Sequence, residues 1–170
     1  METRPKIDIE PTPFDLSIEL IGRIFFIVLL ALTAFVYFKL PDKIPTHFNF
    51  AGHPDNFGNK NVILIFPAFA TIIYFGLTKI NHYPYLFNYL TKITVDNAKR
   101  QYTIATRLIR FLKVFVLMVF TFLVFSIYLT ALNMTRRLSI WFVPVTVGLL
   151  VLVLVIAIFK SLKQDSRQQS

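Results

Sequence analysis

The sequence predicts an all-α, polytopic membrane protein with four transmembrane helices, the third extended into an amphipathic cytoplasmic segment. Three observations predict it. First, 55% of the 170 residues are hydrophobic, including 19 Phe and 7 Tyr, which would leave a soluble domain no polar face for water. Second, four stretches without charge approach or exceed the roughly 20 residues needed to cross a hydrocarbon core. Third, the 18 Lys and Arg, against 9 Asp and Glu, mostly flank those stretches instead of forming a patch of their own. Such flanking cations meet lipid headgroups and fix orientation, so membrane lipids are the expected partner and nucleic acid is not. The chain has no cysteine, which excludes disulfides, thiolate metal sites and cysteine nucleophiles.

The elements follow in order. Residues 1–16 are expected to be an extended cytoplasmic segment, because Pro5, Pro11 and Pro13 oppose helix. Glu2, Asp8, Glu10, Asp15 and Glu19 are wrong for the positive start of a cleavable signal, so the first span should be an uncleaved anchor. That span, about 18–39, has 15 uncharged residues from Ile24 to Phe38, lengthened by Ile18, Leu20 and Ile21, with Arg23 snorkelling to the interface. Pro41 ends it. The second, about 61–78, holds 18 uncharged residues, with Pro67 as an expected kink. The third and fourth, about 111–133 and 139–159, lie in uncharged runs of 22 residues each, Val114–Thr135 and Leu138–Phe159. Together they make a membrane domain over 17–160, followed by a cytoplasmic tail at 161–170.

Charge then predicts orientation. With the N-terminus inside, only Lys39, Lys43, Lys60, Arg136 and Arg137 fall outside, and the other 13 cations fall inside. Both termini are therefore expected in the cytoplasm and loop 40–60 outside. Tyr37 and Trp141 then share the outer interface, as aromatic-belt residues should.

Residues 79–110 form the cytoplasmic connection. Tyr83, Tyr85, Phe87 and Tyr89 alternate, and an extended backbone would line their rings up on one side as an interfacial anchor. Thr94 is the expected N-cap of a helix that nothing breaks until about Leu132. At 1.5 Å per residue this helix outruns the bilayer, so its first half must lie in the cytoplasmic interface. On a helical wheel Lys99, Arg100, Thr103, Thr106, Arg107, Arg110 and Lys113 share one arc. The five cations among them, Lys99, Arg100, Arg107, Arg110 and Lys113, are expected to touch anionic lipid, with docking to an acidic partner as the alternative.

The outward loop, "KIPTHFNFAGHPDNFGNK", is unusually polar and long for a helix connection. Pro45 makes Ile44 extended. An extended His47-Phe48-Asn49-Phe50 puts His47 and Asn49 on one face and both phenylalanines on the other. Gly52, Gly58 and His53-Pro54-Asp55-Asn56 supply turn chemistry, so the loop can fold back and bring Asp55 near His47 and Asn49. Zinc on His47, His53 and Asp55 is one reading, although the spacing matches no strong metal signature. Hydrolysis lacks a nearby Ser or an H-E-x-x-H, and no ionisable group in mid-span suggests transport. A structural loop, with Asp55 capping turns and His47 and Asn49 satisfying backbone, is the principal competitor.

"LPDKIPTHFNFAGHPDNFGNK" resembles the signature of a membrane family known as domain of unknown function 1648, which includes the SdpI-like immunity proteins that protect bacilli from a secreted toxin of their own kin. The matching positions are Pro41, Ile44, Pro45, His47, Phe48, Asn49, Gly52, Asp55, Phe57, Gly58 and Lys60. Asn56 replaces the family's usual Gly, and His53 falls at a variable position. "NAKRQYTIATRLIRFLK" is similar to the segment before the third helix in Bacteroidetes-like relatives. The resemblance implies a bacterial inner (cytoplasmic) membrane protein, and no cofactor is expected.

The expectation is a non-enzymatic sensor or immunity-type protein. Its outward loop, through Pro45, His47, Asn49, Gly52, Asp55, Gly58 and Lys60, would bind a peptide toxin or another membrane protein. The alternatives are a metal-dependent membrane enzyme using His47, His53 and Asp55, and a structural subunit of a membrane complex.

Overall fold

A computed structural model describes residues 4–163. In chain order it has α1 (Pro13–Tyr37), β1 (Lys43–Phe48), β2 (Pro54–Asn59), α2 (Ile65–Ile80), α3 (Val95–Ala131) and α4 (Phe142–Leu162). A 3-10 turn at Lys60–Leu64 leads into α2, and another at Pro84–Leu86 lies in the α2–α3 connection. Among the described residues four helices are long and apolar enough to span a membrane, α2 counting together with the turn before it. The chain is a multi-pass membrane protein.

α1 begins at Pro13, within the segment expected to be extended. Thr12 Oγ1 accepts from Asp15 N at 3.3 Å, and Asp15 Oδ2 accepts from Thr12 N at 3.0 Å. This reciprocal cap, with Pro13 at the first helical position where its missing N–H costs nothing, starts the helix early. Pro67 produces no mid-helix kink. It falls in the first turn of α2, just after the chain changes from 3-10 to α geometry. α3 runs unbroken for 37 residues, about 55 Å at 1.5 Å per residue. Thr94 and Asn97 cap it reciprocally, as the sequence suggests for Thr94.

α3 is the central element, touching α1, α2, α4 and β1. Gly22 of α1 permits close approach, since a Cβ there would lie 3.3 Å from Val114 Cγ2. The core gathers Leu29 and Val36 of α1, Ile44 of β1, Ile63, Ala70 of α2, and Leu117, Val124 and Ile127 of α3. Phe26 stacks on Tyr74 at 4.5 Å, joining α1 to α2. α4 contributes nothing to this core, and none of its most apolar window is buried. It packs along α3 through Phe142 stacked on Phe122 at 4.8 Å. A helix with lipid on nearly all sides needs no second neighbour, because lipid tails are as apolar as its leucines.

The molecule is not wholly helical. β1 and β2 form an antiparallel hairpin, with Lys43 opposite Asn59 and Phe48 opposite Pro54. The hairpin occupies one end of the bundle. The N-terminal segment, the α2–α3 connection and the end of α4 occupy the other.

That connection is not an extended ribbon with aligned rings. The 3-10 turn scatters them. Tyr83 and Tyr85 meet edge to face at 6.3 Å, while Tyr89 turns inward against Tyr102 at 5.5 Å. Arg4 ties the N-terminal segment over this turn by donating to the carbonyls of Tyr85 and Phe87 at 3.1 and 2.6 Å. Tyr102 Oη donates to the Pro5 carbonyl at 3.0 Å. Burial, reinforced by Tyr102, pushes the Tyr89 phenol above its ordinary range, so it stays a neutral donor to the Pro84 carbonyl at 2.8 Å. Glu2, Arg167 and most of the expected tail lie outside the described residues.

Candidate functional site

The hairpin is built from its turn outward. Asn49 Oδ1 accepts from the backbone N–H groups of Ala51 and His53, both at 3.0 Å. This side-chain mimic of a turn closes the loop. Gly52 then adopts φ +78°, a left-handed conformation that costs glycine little. Its carbonyl accepts from Leu138 N at 2.8 Å, in the α3–α4 connection. A Cβ on Gly52 would lie 2.2 Å from the Leu138 carbonyl oxygen, so only glycine allows this approach. The hairpin tip is clamped to a second loop.

Register irregularities on either side of His47 let the ring reach Asp55, which is not its direct cross-strand partner. Nδ1 of His47 and Oδ1 of Asp55 are 2.6 Å apart. A carboxylate only accepts, so Nδ1 carries the proton in this pair, which leaves Nε2 for another partner. Both side chains are open, at 67% and 42% exposure. Phe48 packs on the core, whereas Phe50 at the tip is fully exposed. The two phenylalanines thus part company, because the chain has already turned at Asn49.

The other expected loop residues hold the base. Pro45 and Ile44 are buried. Gly58 pairs with Ile44. Lys60 Nζ lies 3.5 Å from the Leu40 carbonyl, 3.4 Å from Asp42 and 5.5 Å from the centre of the Tyr37 ring. So the fold brings His47 and Asp55 together as an open pair, and uses Pro45, Asn49, Gly52, Gly58 and Lys60 to hold it. His53 does not join them. Among the described residues no three His, Cys, Asp or Glu side chains are grouped to hold a metal ion.

At the opposite end the expected cationic stripe divides. Lys99 is exposed. Arg100 donates to the Lys160 carbonyl of α4. Arg107 grips Asp15 through Nε and Nη2, at 2.8 and 3.1 Å. Arg110 lies 3.7 Å from Asp15 and 3.2 Å from Glu19. Lys113, at 1% exposure, donates to Glu19 at 2.6 Å and to Thr78 at 2.9 Å. Three of the five cations expected at lipid therefore point into the bundle, onto α1. The wheel places them on one arc correctly, and three members of that arc meet two carboxylates of α1.

Asp15, Glu19 and Thr78 were not anticipated as part of any site. A signal for two of them exists: the acids are four apart on α1, and the cations are three apart on α3, so both sets line one helix face.

Comparison with known proteins adds a partial family match. Residues 24–71, from within α1 through the hairpin into α2, match the family described as Domain of unknown function (DUF1648). A curated relative from Archaeoglobus fulgidus, described as an uncharacterized protein, is 42% identical over 60 residues, which cover 31% of this chain. The chain spans about a third of that relative's length, 33%. The family match ends before α3, so the basic segment at 97–113 lies outside it. No solved structure matches.

Proposed function

We propose that this is a non-enzymatic sensor or immunity-type protein of a bacterial inner membrane, with both termini cytoplasmic. Its hairpin is displayed on the outer face and binds a peptide toxin or another membrane protein. One observation carries the reading. The hairpin is fixed at its tip through Gly52 and Leu138 and at its base through Lys60, yet leaves His47, Asp55 and Phe50 exposed. A surface fixed before binding loses little entropy when it binds. An oriented imidazole beside an exposed aromatic supplies the polar and apolar contacts typical of recognition sites. Among the described residues no hydroxyl is hydrogen-bonded to His47, as a nucleophile would be, which favours binding over acyl transfer. The bias of Lys and Arg to the terminal end supports the orientation.

Deletion and complementation test the function. A strain lacking the protein is challenged with membrane-active peptides and complemented with the wild type, His47→Ala, Asp55→Ala or Phe50→Ala. The expected result is that each variant accumulates and melts like the wild type but fails to restore resistance. Full restoration by all three ends the proposal. Sidedness is read separately by introducing Ala51→Cys into the cysteine-free chain. An impermeant maleimide should label it in intact cells, and labelling only after lysis would invert the orientation.

A further inference from the structure

A groove of about 380 Å3 runs between α1, α3 and α4 at the terminal end, separate from the hairpin. Phe14 of α1, Leu108 and Phe111 of α3, and Val153 and Ile156 of α4 give it apolar walls. The Phe14 and Phe111 rings, 6.1 Å apart, close one side. Arg107 and Lys160 also line it, and among the described residues no acid does. The 21 residues of α4 extend about 31 Å, enough to cross a hydrocarbon core. Lys160, in the last turn, therefore lies at headgroup depth. Val153 lies about 10 Å deeper along the same helix.

The seam of α3 and α4 is pinned at this depth. Gln101 Nε2 donates to the Ser161 carbonyl at 3.1 Å, and Ser161 Oγ donates back to Gln101 Oε1 at 2.7 Å. Arg100 donates to the Lys160 carbonyl. These bonds use the backbone of Lys160 and not its ammonium, which is exposed and has no partner among the described residues. Arg107 is balanced by Asp15, but it reaches that acid through Nε and Nη2, so Nη1 remains as a donor. Lys160 thus brings the net charge of the groove, and Arg107 a further donor. Lys160 is not one of the five cations expected from the sequence to touch lipid, and of those five Arg107 alone lines the groove. None of the most apolar window of α4 is buried, so the groove opens to lipid. Acyl chains fill such a groove in any case, and the cations at its headgroup end select among them.

We infer that this groove holds one anionic phospholipid, with an acyl chain along the apolar walls and the phosphate at Lys160 Nζ beside the Arg107 guanidinium. A zwitterionic lipid would bring its own cation into the same unbalanced charge and bind less well. A seam fixed before the lipid arrives costs little ordering entropy on binding. The inference does not depend on what the hairpin recognises.

The purified full-length protein in detergent is titrated with phosphatidylglycerol and, separately, with phosphatidylcholine, and native mass spectrometry reads occupancy. Saturable retention of one phosphatidylglycerol per chain is expected, at least about fivefold tighter than phosphatidylcholine. Lys160→Gln keeps the backbone bond from Arg100 and should weaken phosphatidylglycerol about fivefold, with little effect on phosphatidylcholine. Lys79→Gln removes an equally exposed charge from the end of α2, outside the groove, and should leave both unchanged. Ala157→Phe places a ring in the groove and should weaken both lipids together. Glycerol phosphate in excess should not displace the lipid. The inference is overturned if phosphatidylglycerol binds no tighter than phosphatidylcholine, or if glycerol phosphate displaces it. It is also overturned if Lys160→Gln binds like the wild type, or if Lys79→Gln weakens binding as much as Lys160→Gln. Undiminished binding by a folded Ala157→Phe overturns it too. Should that variant fail to fold, the comparison of Lys160→Gln with Lys79→Gln decides.

Discussion

Replacing Gly52 by alanine tests the clamp between the hairpin and the α3–α4 connection. Two costs are worked from the geometry. Gly52 sits at φ +78°, and a left-handed conformation costs an alanine roughly 1–2 kcal/mol. The new Cβ would fall 2.2 Å from the Leu138 carbonyl oxygen, a backbone atom with no flexible end to move aside. The loops must separate, and the 2.8 Å hydrogen bond from Leu138 N goes with them. A hydrogen bond of this kind contributes about 0.5–1.5 kcal/mol. Together the loss is roughly 1.5–3.5 kcal/mol, or about 3–14 °C in Tm for a chain of this size. Thermal unfolding in detergent measures the total, and amide exchange at Leu138 measures the clamp itself. Gly76→Ala is the control, because nothing lies within 4 Å of its added Cβ. In the interior of α2 it should stabilise by about 1 kcal/mol. If Gly52→Ala melts within about 1 °C of the wild type on that scale, and Leu138 exchanges no faster, the clamp is not what holds the hairpin.

Other substitutions read the remaining contacts. Glu19→Gln leaves the almost fully buried Lys113 with Thr78 and the Tyr74 ring but without its carboxylate, and should cost about 3 kcal/mol in thermal unfolding, since the charge of one partner of a buried pair is lost. Replacing both, with Glu19→Leu and Lys113→Met, should recover most of that loss. Asn49→Ala removes both turn hydrogen bonds and should cost about 1–3 kcal/mol, whereas Asn49→Asp, which keeps the acceptor, should cost less. Asp55→Asn, by contrast, should change stability by less than about 1 kcal/mol in the same assay, because the pair with His47 is open to water. Thr94→Ala should lower stability by about 1 kcal/mol and increase amide exchange in the first turn of α3.

What was legible in the sequence depended on how local the physics is. Both ends of α3 could be read, because Thr94 caps within its own turn and no Gly or Pro interrupts the next 37 residues. The meeting of His47 and Asp55 could be read from turn residues between them. The strands could not, because six-residue segments as polar as Pro54–Asn59 carry little strand signal. The charge cluster was the main miss. A wheel groups Arg107, Arg110 and Lys113 but says nothing of what lies opposite, and Asp15 is 92 residues from Arg107 in the chain. The early start of α1 was hidden for a related reason: Pro13 opposes helix everywhere except the first turn, and Thr12 makes it the first turn. The contact of Gly52 with Leu138 joins loops 86 residues apart, so no local pattern could announce it.

α3 has no interior proline, glycine or bulge at which to bend. It touches β1 near one end and, through Arg107, Arg110 and Lys113, holds the acids of α1 toward the other. From Arg110 to Thr130 is about 30 Å of stiff helix. A rod of that kind has few ways to absorb motion midway. Tilt imposed where the hairpin rests must be taken up where the charges interlock, and any force that loosens the interlock is felt beneath the hairpin. The two faces of the bilayer are joined by one lever.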